Sequence, residues 1–285
     1  MPVSEIYSEV VSTARDYYNS DDAETFYSTI WGGEDIHIGL YDENEDTIAA
    51  ASRRSFESVA RRLEPLDASS RVLDMGSGYG GAARYLTRTY GCHVVGLNLS
   101  AVENERARRL NQEQGVADRI DIVDGSFEAV DAADETFDAV CSQDAFLHSG
   151  ERPRVVTEAA RVLKPGGVFA FTDIMQADDC PDGVLDPILA RIHLSSLASP
   201  ASYRAAAQGL DEAAAFTDLT PQLVTHYRRV LVETEQGEAA LRGKISDDYL
   251  RHMKTGLAHW VEGGEQGYLV WGLFTFSKPR KPDAS

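Results

Sequence analysis

The spacing of apolar positions changes character at Arg71. Before it, apolar residues recur at helical intervals over residues 4–19 and 22–30, the second run opening at the capping residues Ser20, Asp21 and Asp22, and again from about Thr47 to Leu63. An irregular stretch, WGGEDIHIGLYDENED, separates the last two. From Arg71 onward short β-rich runs take over: RVLDM, CHVVGLN, IDIVD, FDAVCS and GVFAFTD, most of them separated by helical segments. That alternation predicts βαβ units and a parallel, doubly wound sheet. After Asp173 the pattern predicts a helical insert of roughly forty residues, a helix opened by Thr220 and Pro221, another from about Asp247 to Val261, and a closing strand YLVWGLFTF.

At 285 residues and 43% hydrophobic content the chain is long enough to bury a full core, which favours one α/β unit with a cap over two independent domains. The expected division is a helical cap over residues 1–70, a cofactor-binding core over 71–176, a helical lid with C-terminal helices over 177–262, and a final strand and tail over 263–285. The opening MPVSEIYSEV carries no basic leader, and apolar runs such as GYLVWGLFTF fall well short of a roughly 20-residue span. The three cysteines, Cys92, Cys141 and Cys180, have no metal-ligand spacing and fit a reducing compartment. A cytoplasmic protein, monomeric or homodimeric and without a bound metal, is therefore expected.

Charge narrows the partners. Forty-six acidic against 27 basic side chains give a formal net charge of -19, which repels nucleic-acid phosphates and anionic membrane surfaces. Such an excess also strains a compact fold by self-repulsion, a strain that concentrated salt screens. A salt-adapted cytoplasm would suit it.

The first β-run ends in LDMGSGYGG, where Gly76, Gly78 and Gly80 let backbone amides approach a ligand at the mouth of the sheet. Gly76, Gly78 and Gly81 equally satisfy the G-x-G-x-x-G dinucleotide fingerprint, so the loop alone does not choose the cofactor. Its surroundings do. Asp74, two residues before the first glycine, would face the charged amino-acid end of S-adenosylmethionine or order the loop, and a nicotinamide cofactor has less use for it. Asn98, 22 residues after Gly76, stands where a ribose is usually bound, in place of the usual acid. In DGSF, at the end of the third run, Asp124 would accept from an adenine amine, Ser126 donate, and Phe127 lie against the purine. The fourth run delivers SQDAFLHS, with Gln143, Asp144 and His148 where the strand order should reverse. One helical turn would aim Asp144 and His148 at the same space; a helix cap and an interior histidine are the plainer alternatives.

DMGSGYGG, GLNLS, DGSF and LKPGG, spaced as they are, resemble the motifs of class I S-adenosylmethionine-dependent methyltransferases over residues 71 to about 173. Over almost the whole chain, YYNSDDAETFY, IWGGEDIHIGLY, SQDAFLHS and AHWVEGG are similar to sarcosine/dimethylglycine N-methyltransferases of betaine biosynthesis. The resemblance implies a Rossmann-like α/β fold with a mostly parallel seven-stranded sheet under a helical lid, S-adenosylmethionine as cofactor with S-adenosylhomocysteine as product, and a small amino acid, sarcosine or dimethylglycine, as acceptor. It adds Trp31 and Leu99 to the cofactor contacts.

For such a reaction His148, oriented by Asp144, would accept the acceptor's proton. The quaternary nitrogen of the product has no N–H, so ring faces suit it. Tyr17, Tyr18, Tyr41 and Trp31 are the candidate walls, with core packing as the alternative for each. Arg191, with Tyr203, His226 or Tyr227, would supply a donor to the substrate carboxylate. Similar D-x-x-x-H pairs occur in phosphoethanolamine methyltransferases, but only Arg191 and Arg204 are basic between Asp173 and Ala215, few for a dianionic head group. A dehydrogenase would need a second substrate domain, and a cofactor-sensing module would not need a lid.

Overall fold

A computed structural model describes residues 20–32, 34–42, 47–192 and 194–281, with the Arg191 side chain excepted. The helix expected over 4–19, with Tyr17 and Tyr18, lies outside the described residues.

Helix α1 (Asp21–Ile30) starts where the capping residues put it, with Ser20 Oγ accepting from the Ala23 amide at 3.2 Å. Helix α2 (Ile48–Arg62) follows the intervening loop, capped by Thr47. Next come β1 (Arg71–Met75), α3 (Gly81–Tyr90), β2 (His93–Asn98), α4 (Ala101–Glu113), β3 (Ile120–Asp124) and β4 (Phe137–Gln143). A 3₁₀ turn, Phe146–His148, leads to α5 (Arg152–Val162) and β5 (Leu163–Gln176). The second half holds α6 (Asp186–Arg191), α7 (Pro200–Ala206), β6 (Asp211–Asp218), α8 (Thr220–Gln236), α9 (Glu238–Leu241), α10 (Asp247–Glu265) and β7 (Leu269–Ser277).

The strands form one seven-stranded sheet in the order β3-β2-β1-β4-β5-β7-β6. Pairings from β3 to β5 are parallel, and β7 runs antiparallel to both β5 and β6. The order reverses between β1 and β4, so the loops after these strands diverge and leave a crevice at their carboxyl ends. Strand β1 is buried from Val72 onward because helices cover both faces. On one face Phe56, Val59, Ala60 and Leu63 of α2 pack with Leu86, Val94 and Ala139. On the other, Phe146, Phe169, Phe171 and Phe274 pack with Val155, Val156 and Ala159 of α5.

One expectation fails in the second half. The stretch after Asp173 is not wholly helical, because β5 continues to Gln176 and DEAAAFTD forms edge strand β6. Alanine-rich sequence favours helix locally. Here the unpaired edge of β7 wins, and the Phe216 ring packs 4.5 Å from that of Phe274 in the space that Gly272 leaves open. Among the described residues no helix is long and apolar enough to cross a membrane.

Candidate active site

A cleft of about 970 Å³, part of it open to solvent, lies at the reversal point. The glycine loop forms its floor. Gly76 has φ +84°, and a Cβ there would overlap Ala145, so the bend needs a residue without a side chain. Gly78, at φ +49°, faces Ile36 across the cleft.

Asp74 is 3% exposed and lines this floor. Its Oδ1 has only the Cys141 thiol, at 3.9 Å, and its Oδ2 has no hydrogen-bond partner. Burial pushes its pKa up to about 7, and the nearby His37 works against the rise. Asn98, Leu99, Ser126, Phe127 and Gln143 also line the cleft, as the sequence predicts. Ser126 Oγ accepts from the Glu128 amide at 3.1 Å, which leaves its proton free to donate.

The acid missing from the end of β2 comes from the next helix. Glu103, 5% exposed on α4, lines the cleft and accepts from Asn98 Nδ2 at 3.0 Å. Its position five residues beyond Asn98 hides it from a search of the strand end. Burial raises its pKa to about 7, opposed by the Asn98 hydrogen bond.

The roof is the loop from Glu34 to Tyr41, which sequence reasoning left unassigned apart from Tyr41. Its backbone is tied at nearly every step. Ile38 N–H donates to Asp144 Oδ2 at 2.8 Å, Gly39 N–H to His226 Nδ1 at 3.2 Å, Leu40 N–H to the Ala51 carbonyl at 2.9 Å, and Tyr41 N–H to Gln222 Oε1 at 2.8 Å. The His37 carbonyl accepts from Ser52 Oγ at 3.0 Å and from Trp31 Nε1 at 3.2 Å. Glu34, Asp35 and His37 are thereby set into the cleft wall, with Asp35 paired to Arg53 at 2.8 Å. Burial would make His37 neutral, but the carboxylates of Asp35 and Asp144 outweigh it and raise its pKa.

Asp144 and His148 both line the cleft, but not as a pair on one helical turn. Asp144 has φ +49°, outside any helix, and neither caps one nor faces His148. Its Oδ1 accepts from Thr172 Oγ1 at 2.8 Å and Trp271 Nε1 at 2.7 Å, while Oδ2 takes the Ile38 amide. Strained backbone of this kind persists where surrounding bonds over-determine it. His148 sits on the 3₁₀ turn, where burial and then the Arg152 charge lower its pKa to about 4, so its imidazole is neutral.

Other assignments are corrected. Trp31 does not line the cleft; it is 5% exposed in a core with Phe26 and Leu257, and it braces the roof from behind. Asp124 points away, its carboxylate held by Asn104 Nδ2 at 2.5 Å and Arg108 at 2.8 Å. Tyr203 is buried among Phe171 and Phe274, its hydroxyl donating to Asp173 Oδ2 at 2.5 Å. Tyr41, His226 and Tyr227 do come together: Tyr41 Oη lies 2.9 Å from His226 Nδ1, and Tyr227 stacks on Trp260 at 5.4 Å. They stand behind the roof rather than in the cleft wall. Arg191 ends α6, and its side chain lies outside the described residues.

The donor set fits S-adenosylmethionine. An unpartnered carboxylate oxygen, a glycine floor that a side chain would block, an Asn98/Glu103 pair and a Ser126/Phe127 face suit, in turn, an ammonium, a thioether chain, a ribose and a purine.

The chain matches a methyltransferase domain over residues 73–171. It is 55% identical over 271 residues to sarcosine/dimethylglycine N-methyltransferase of Halorhodospira halochloris, covering 95% of this chain and 97% of that one. The enzyme of the same name from Aphanothece halophytica is 49% identical, over 95% and 98% of the two chains. A crystal structure from Galdieria sulphuraria, assigned as a sarcosine dimethylglycine methyltransferase, superposes with a TM-score of 0.87 at 41% identity, over 93% of this chain and 100% of that one. With a cleft of this chemistry and likeness over nearly its whole length, the chain belongs to the sarcosine/dimethylglycine N-methyltransferase family.

Proposed function

We propose that the protein methylates the nitrogen of sarcosine and dimethylglycine in turn, yielding glycine betaine. The observation that carries this reading is the cleft at the sheet's reversal point, which Asp74, Asn98 hydrogen-bonded to Glu103, and Ser126 with Phe127 all line, a set whose chemistry suits the groups of S-adenosylmethionine. Bound there, the cofactor supplies a methyl group already activated by its sulfonium.

The protein's work is then positioning and control of charge. Gly76 and Gly78 admit the cofactor close to the backbone, Leu99 and Phe127 shield it, and Gln143 borders its amino-acid end. The acceptor amine has to present a lone pair, and a largely desolvated cleft disfavours its ammonium form. His148, kept neutral by burial, offers a hydrogen-bond acceptor that orients the amine N–H, while the proton itself leaves to solvent. Asp144 contributes by fixing the roof through Ile38 rather than by orienting His148. Tyr17 and Tyr18 supply ring faces to the methylated nitrogen, while Tyr41, its hydroxyl engaged by His226 with Tyr227 beyond it, braces the roof from behind. Arg191 supplies the donor to the substrate carboxylate.

The test is incubation with isotopically labelled S-adenosylmethionine and, separately, glycine, sarcosine, dimethylglycine and phosphoethanolamine, with products resolved by mass spectrometry. Labelled betaine from dimethylglycine is expected. Label in the phosphobase alone, or in no acceptor, would overturn the reading.

A further inference from the structure

Among the buried polar atoms of the cleft without a hydrogen-bond partner, alongside Ser77 Oγ and Gln143 Oε1, are a carboxylate oxygen and an imidazole nitrogen: Asp74 Oδ2 and His37 Nε2. His37 is 9% exposed, and both side chains line the same wall. A buried polar group left unpaired is costly, so an unpartnered carboxylate oxygen and an unpartnered imidazole nitrogen in one cleft point to a ligand that satisfies both.

We propose that His37 is a carboxylate-binding cation of the cleft, acting with the Asp74 carboxylate in the same wall so that the two together read an amino-acid zwitterion. The proposal rests on the methyltransferase reading and adds to it a residue in the roof loop.

His37 Nδ1 lies 3.2 Å from the Ile38 carbonyl and 3.4 Å from the Gln143 side-chain amide, so both inner contacts of the ring fall on Nδ1. The second ring nitrogen is then the one that faces the ligand. Its nearest carboxylate, Asp35 Oδ1, stands 3.8 Å away, beyond hydrogen-bond reach, and Asp35 is already held by Arg53 at 2.8 Å. Asp144 is likewise committed, to Ile38, Thr172 and Trp271. These two carboxylates favour the imidazolium without consuming its outward N–H. In a chain of net charge -19, a cation held in the wall of an acid-rich cleft is what an incoming carboxylate needs. Loop geometry keeps it there, since both the His37 carbonyl and the Ile38 amide are tied down.

Two bound molecules carry such a carboxylate: the methionyl end of the cofactor and the amino-acid acceptor. Calorimetric titration of wild type and His37→Asn with S-adenosylmethionine and with its decarboxylated analogue, alongside KM for dimethylglycine and inhibition by acetate, separates them. Melting temperatures establish that the variant is folded.

Loss of one charge-assisted hydrogen bond predicts an effect of about 10- to 100-fold. If the cofactor is the source, Kd for S-adenosylmethionine rises by that factor while the decarboxylated analogue binds both proteins alike. If the acceptor is the source, KM for dimethylglycine rises, S-adenosylmethionine binding holds, and acetate inhibits only the wild type. Unchanged Kd and KM, or an equal loss for both cofactor forms, would overturn the proposal while leaving the methyltransferase reading intact. A wild type that binds no S-adenosylmethionine overturns both.

Discussion

The amide of Ile38 donates to Asp144 Oδ2 at 2.8 Å, joining residues 106 positions apart. Through this bond the strained residue after β4 holds the roof of the cleft, and through Thr172 and Trp271 the same carboxylate is braced by β5 and β7.

Replacing Asp144 by Ala strands three donors at once, two of them aimed into the interior. The expected cost is about 2–4 kcal/mol in urea unfolding, together with weakened S-adenosylmethionine binding. Asp144→Asn keeps one acceptor oxygen and should lose less than half of that. Equal stability of Asp144→Ala and wild type would mean that the roof is held by other contacts.

Tyr203 separates a core role from a substrate role. Its hydroxyl is the donor to Asp173 Oδ2, and Asp173 is fully buried, with burial pushing its pKa up to about 7. Tyr203→Phe should cost about 1–3 kcal/mol of stability and leave KM for dimethylglycine at its wild-type value. A raised KM at unchanged stability would return Tyr203 to the substrate site.

Glu103 gives a pH signature. Its carboxyl titrates near 7 in the fold and near 4.5 when unfolded, so between these values the folded protein retains a proton that the unfolded chain has lost. Its contribution to stability is therefore present below pH 4.5 and lost as pH rises through 7. Glu103→Gln should match wild type at pH 4, gain about 1–3 kcal/mol over it by pH 8, and bind S-adenosylmethionine about tenfold more weakly. Parallel stability curves for the two proteins would contradict the buried-carboxyl account.

The acidic surface predicts that Tm rises with KCl, by about 5 °C or more on reaching 1 M, where the Debye length is about 3 Å. A flat or falling Tm would remove self-repulsion as a factor in this fold.

Most of the sheet, and the part of the site carried by its strand ends, was legible because both depend on local spacing. Asp74, Gly76, Gly78, Asn98, Ser126, Phe127 and Gln143 each follow or end a β-run, and all line the cleft. The roof was not legible, because its residues are placed by partners 106 and 187 positions away. Nor was Glu103, whose helix carries it back over the strand end. Asp124 and Tyr203 were misread for the opposite reason: their residue types suit a ligand, but Arg108 and Asn104 in one case and Asp173 in the other had already taken their polar atoms. In β6 an alanine run hid a strand that only the neighbouring β7 makes favourable.

Strand β7 has a further consequence. Trp271 brings to Asp144 an indole N–H from 127 positions further along the chain, and Asp144 in turn holds Ile38, from near the other end. A nascent chain that has left the ribosome as far as β5 already contains the glycine floor, Asp74 and Glu103, and can tie its roof to Ala51, Ser52 and Asp144, but it lacks the Gln222, His226 and Trp271 partners. The full set of roof contacts is thus completed only when the C-terminal strand has been made and inserted between β5 and β6, which couples the last element of the chain to one of the first.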